Sequence, residues 1–188
     1  MTAAVSSTFD LVAWLTDRAL NDGEYLQPVK LHRLMYLAQA YFAVASRGRK
    51  LAPATFVAVD HGPVEPDVWR ALAGGRPYIE SVPPADDAET FLDSLWRRFG
   101  AYSADHLGSL LRSHPPYLDA FAKGAGTEIS LAAMVAFYGR PRPRGTFAGG
   151  LPPVDEVLRP RTMRGTDGRP VSVRRWTPAK ASRTRTDD

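Results

Sequence analysis

The chain has 188 residues, 44% of them hydrophobic, and no cysteine. That is enough for one core with an appendage, and it excludes disulfides, thiolate metal sites and cysteine nucleophiles. The net charge of +4 is uneven: residues 1–139 hold 12 basic and 15 acidic side chains, a net of −3, while residues 140–188 hold 12 and 5, a net of +7.

The basic character therefore belongs to the tail, which weakens a nucleic-acid role for the part ahead of it. No apolar run approaches the ~20 residues of a bilayer span. The start, MTAAVSSTFD, has no basic segment ahead of an apolar one, as a signal peptide would. A cytoplasmic protein without membrane contact is expected.

Thr8 is read as the cap of a first helix, Phe9 to Leu20, with Val12, Leu15 and Ala19 at helical spacing. Asn21-Asp22-Gly23 is a turn signal. The stretch QPVKLHRLMYLAQAYFAVA, Gln27 to Ala45, reads as one long helix opened by Pro28 and closed before Gly48. Its apolar arc covers more than half the circumference, with Leu34, Leu37, Ala38, Tyr41, Val44 and Ala45 at the centre and Leu31, Met35 and Phe42 widening it. A helix so apolar packs on several sides, and it is expected to be the central element of a mainly α domain. His32, Tyr36, Gln39 and Ala43 remain as a narrow polar stripe, read as solvated surface or as part of a contact face. Lys30 lies inside the apolar arc and is expected to bury its stem while its ammonium snorkels out or pairs with a carboxylate.

Leu51 to Val59 reads as a short extended segment on the helices. Gly62-Pro63 is read as a tight turn, and Pro66 opens a helix with Glu65 and Asp67 at its positive end. Val68, Trp69 and Leu72 are expected to face the core, with Trp69 held open as a surface anchor beside His61. Tyr78-Ile79 is a brief extended piece. Asp86 or Asp87 caps a helix to Phe99, carrying Phe91, Leu92, Leu95, Trp96 and Phe99 on one stripe. Ser103 caps a helix to Arg112, the SHPP run breaks it, a helical turn from Tyr117 to Ala122 follows, and Thr127 or Ser130 opens the last helix, ending at Tyr138-Gly139.

Two blocks in this order resemble the Panacea domain family, the SocA-like antitoxins and proteolytic adaptors. KLHRLMYLAQAYF, residues 30–42, is similar to that family's KLQKLLYYAQ-type helix, and HGPVEPDVWRAL, residues 61–72, to its YGPV-x-P-x-VY element. The resemblance covers residues 8–139. His61 stands where the family usually has Tyr, and Ala58-Val59 where it has an Ala-Trp pair. A later family segment appears as Leu107, Leu110, Leu111, Ser113, His114, Pro115, Pro116 and Tyr117. The resemblance implies a non-enzymatic antitoxin that binds a cognate toxin directly, in the adaptor version delivering it to a AAA+ protease. It needs no cofactor, metal or catalytic residue. His32, Tyr36, Gln39, His61 and Trp69 are the expected partner-binding residues.

The search for chemistry agrees. The four histidines, His32, His61, His106 and His114, include no HExxH spacing, and no phosphate-cradling glycine loop or G-x-S-x-G setting occurs. From Arg140 the sequence RPRPRG ends helix formation, and seven prolines lie among the last 49 residues. Residues 140–188 are thus expected to be a basic, largely flexible tail, with a hairpin at 162–176 around Gly165-Thr166-Asp167-Gly168. The alternative function reads this tail, with Trp176 among its arginines, as a nucleic-acid contact.

Overall fold

A computed structural model describes residues 2–75, 80–141 and 151–158, together with the backbone pairing of 163–164 and 170–171. The fold is mainly α. In chain order it runs α1 (Thr8–Asn21), α2 (Pro28–Ala45), β1 (Val57–Val59), β2 (Gly62–Val64), α3 (Pro66–Leu72), α4 (Asp86–Phe99), α5 (Ala104–Arg112), α6 (Pro115–Phe121), β3 (Thr127–Glu128), α7 (Leu131–Tyr138), α8 (Val154–Val157), β4 (Met163–Arg164) and β5 (Pro170–Val171).

α2 is the centre, as its apolar arc requires. α1, α4, α5, α7, α8 and β2 all pack on it, and every residue from Lys30 to Ala43 is buried. The expected polar stripe is therefore corrected: His32, Tyr36 and Gln39 are 1%, 0% and 1% exposed. Neighbours surround α2 on all sides, so its polar side chains from Lys30 to Gln39 are enclosed by the protein and none forms a solvent face.

The ends of the helices follow local chemistry. Ser7, one residue before the expected Thr8, caps α1: its Oγ accepts from the Phe9 N–H at 3.1 Å, and Asp10 accepts from the Ser7 N–H at 2.9 Å. This reciprocal pair is a capping box. Ser103 and Ser130 cap α5 and α7 as expected. α6 starts at Pro115, since a proline at the first helical position loses no hydrogen bond.

The extended residues form a small sheet of order β2-β1-β3, antiparallel throughout. Val59 pairs with Gly62, so Asp60-His61 is the two-residue loop and Gly62-Pro63 belongs to β2, where a turn was expected. Gly62 carries φ 121°, which a side chain tolerates poorly, and it lets the chain leave so short a loop in register.

The core also reaches past the expected boundary at 139. Leu151 and Val157 are buried in it, and the Tyr41 hydroxyl donates to the Pro152 carbonyl at 2.7 Å. Residues 151–158 are thus part of the packed unit. Of the hairpin expected at 162–176, Met163 pairs with Val171 and Arg164 with Pro170; the rest, like Tyr78-Ile79, lies outside the described residues.

Candidate functional site

Four polar residues run along α2 at three-residue intervals, Lys30, Arg33, Tyr36 and Gln39. Three of them fasten a neighbouring segment by hydrogen bonds. Lys30 donates to the Gly100 carbonyl at 2.6 Å and pairs with Glu24, joining α2 to the α4–α5 junction. Gln39 accepts from the Leu51 and Ala52 N–H groups at 3.1 Å and donates to the Ala52 carbonyl. Arg33 donates to the His61 carbonyl at 3.0 Å and to the Ala104 carbonyl, joining the β1–β2 loop to the start of α5. Gly108 makes room for it: a Cβ there would sit 2.5 Å from the guanidinium carbon. Tyr36 is the fourth. Its ring meets Phe56 edge-on at 5.5 Å, and burial pushes its hydroxyl above the usual phenol range, with the Tyr138 hydroxyl opposing that shift.

Tyr36 and Gln39 are thus interior groups of the fold and face no partner surface. Of the five expected site residues, the structure brings three together. The His61 ring lies 4.9 Å from the Trp69 indole, and the His32 ring 5.5 Å from the same indole. Trp69, expected in the core, is 40% exposed, while Val68 beside it takes the fully buried position of α3. A helix as short as α3 turns only a narrow face inward, and Val68 fills it.

Beneath Trp69 the polar groups are fixed. His32 Nδ1 accepts from the Glu65 N–H at 3.2 Å, so the neutral ring carries its proton on Nε2. Burial lowers the His32 pKa to about 4, and the neighbouring His61 adds to the effect. The Glu65 carboxylate accepts from the Val68 N–H at 2.8 Å and so caps α3; its burial pushes its pKa up, against the pull of that bond. The buried Nε2 atoms of His32 and His61 have no hydrogen-bond partner among the described residues, and both rings lie against the indole. Tyr117 supports the loop from the other side, donating to the Val59 carbonyl at 2.7 Å.

The result is a large aromatic ring, partly open to solvent, held by two imidazoles over a loop that Arg33 and Tyr117 pin. Such a ring offers contact area at little cost in side-chain entropy. Arg33 escaped the sequence reading, which placed Glu65 at the start of α3 and named Tyr117 in the later family-like segment without giving either a part in this site. The three-residue spacing of polar groups through an apolar helix was the available signal for Arg33. Among the described residues no three His, Asp or Glu side chains gather as a metal site, and no helix is long and apolar enough to cross a membrane. No family model, curated protein or solved structure matches the chain.

Proposed function

We propose that this protein is a non-enzymatic, cytoplasmic antitoxin that neutralises a cognate toxin by binding it directly, and in the adaptor version delivers it to a AAA+ protease. The resemblance of residues 30–42 and 61–72 to Panacea antitoxins suggests the class. The observation that carries the reading to a surface is Trp69, 40% exposed and in tilted ring contact with His61 at 4.9 Å. Buried aromatic anchors dominate protein interfaces, and truncating one typically costs 2 kcal/mol or more of binding.

The test is co-expression with the neighbouring open reading frame. Growth rescue with a stoichiometric complex is expected, and Trp69→Ala should weaken that complex by about thirtyfold or more while the thermal melt stays within a few degrees. His61→Ala should weaken it less. Rescue without a physical complex, or turnover of a substrate by the purified protein, would overturn the proposal. The net charge of +7 on residues 140–188 supports a second reading, nucleic-acid association through the tail.

A further inference from the structure

A second surface lies away from Trp69 in the chain. A groove of about 290 Å³ runs between α1, the segment 81–84 and α4. Its apolar wall is Trp14, Val82, Pro83 and Pro84, with Val82 62% exposed. Its charged side chains are Asp10, Asp17, Glu89, Asp93 and Arg18, a net of −3. Two of these carboxylates are engaged. Asp10 accepts from the Ser7 and Val82 N–H groups, which holds the wall against α1, and Asp93 pairs with Arg18 at 2.6 Å. Asp17 on α1 and Glu89 on α4 stand exposed at the rims.

We propose that this groove is the docking site of the chain's own C-terminal segment, residues 172–188. Charge complementarity is the first ground. That segment carries Arg174, Arg175, Lys180, Arg183 and Arg185 against Asp187 and Asp188, a net of +3 facing a groove of −3. Its make-up is the second. An arginine on the face of Trp14 gains a cation–π contact, and Trp176 and Pro178 match an apolar wall of valine and prolines. Reach is the third. α8, which ends at Val157, packs on α4, the helix that supplies Glu89 and Asp93. Pairing of β4 with β5 returns residue 171 to the side of residue 163. About fourteen residues of chain then remain between Leu158 and Lys180, ~45 Å when extended, against ~21 Å for the length of α4. Docked there, the arginines are neutralised within the molecule, and an acidic partner must displace them before they steer its approach. This inference is independent of the Trp69 site.

Zero-length carbodiimide coupling on the full chain tests it, because Lys180 is the only lysine after Lys123. The expected products join Lys180 to Asp17 or Glu89 within one chain, at a yield independent of protein concentration. That yield should fall severalfold in 0.5 M NaCl, in Trp14→Ser, and on adding excess free peptide of sequence 172–188. The peptide arm needs no variant and decides the matter if Trp14→Ser fails to fold. Lys180 joined indifferently to acids elsewhere, such as Asp67 or Asp119, or a yield unmoved by peptide and salt, would overturn the proposal. Products that form between chains and rise with concentration would assign the groove to a second copy and overturn it equally.

Discussion

His32 carries a proton balance that the fold sets. In the unfolded chain its pKa lies near 6.5, and burial beneath Trp69 lowers it to about 4. The native state therefore binds this proton less readily than the unfolded state. Stability from the neutral ring is full above pH 6.5 and is lost as the pH falls from there to about 4, at ~1.4 kcal/mol per unit and about 3 kcal/mol in all. Protonation would also turn Nδ1 into a donor facing the Glu65 N–H that it now accepts from. Urea melts between pH 7 and 4 should show this loss in the wild type and a flatter profile in His32→Gln, whose amide oxygen still accepts from Glu65. Equal slopes in the two proteins would place the pH dependence on other groups. Gly108 supplies a second test. Alanine in a helix normally gains ~1 kcal/mol over glycine. Here its Cβ would displace a buried guanidinium bound to two carbonyls, so Gly108→Ala should instead lose about 1–2 kcal/mol. In an Arg33→Ala background the same change should turn stabilising, and thermal melts of the four proteins read the reversal.

At the scale of elements, most helices were legible because periodicity and capping are local. α2, α4, α5 and α7 lie close to where apolar spacing, Pro28, Ser103 and Ser130 put them. What failed was facing. A narrow polar stripe on an apolar helix reads as the solvent side, yet the six elements packed on α2 leave it no solvent side. Tyr36 and Gln39 became interior groups because their partners, Tyr138, Leu51 and Ala52, come from distant segments. The Gly62-Pro63 turn failed for a related reason: pairing of Val57 with Val64 and of Val57 with Glu128 fixed the register, which the dipeptide alone does not encode. The boundary at 139 failed because Leu151 and Val157 are two apolar residues in a proline- and arginine-rich stretch, too few to show a period. They fill space on α2 and α4 all the same. Two truncations separate the readings. Removing residues 159–188 should change stability by less than about 1 kcal/mol. Removing 151–188 should cost several kcal/mol, since it strips Leu151, Val157 and the partner of the Tyr41 hydroxyl from the core. Urea midpoints that fall equally in both would show that the 151–158 strap adds nothing.

For the whole molecule, charge and surface separate the two functional readings. The described core ends at Leu158, and residues 159–188 hold nine basic and three acidic side chains, a net of +6. Removing them takes the chain from +4 to −2 while leaving Trp69, His61 and the residues that pin them in place. A protein-binding antitoxin anchored by Trp69 should then keep its complex with the toxin, changing mainly in association rate, because charges outside a contact steer encounter more than they hold it. A nucleic-acid binder should lose nearly everything, since each phosphate contact is a released counterion and the steep fall of log K with log salt comes from the basic side chains now absent. Titrating full-length and truncated protein with a 20-base-pair duplex, at several salt concentrations from 50 to 200 mM, reads the second; pull-down of the toxin by the same two proteins reads the first. The expected pattern is toxin capture by both and salt-sensitive duplex binding by the full chain alone. Duplex binding that survives truncation with its salt slope intact would move the nucleic-acid site onto an acidic domain, and toxin capture lost on truncation would remove Trp69 from the centre of the interface.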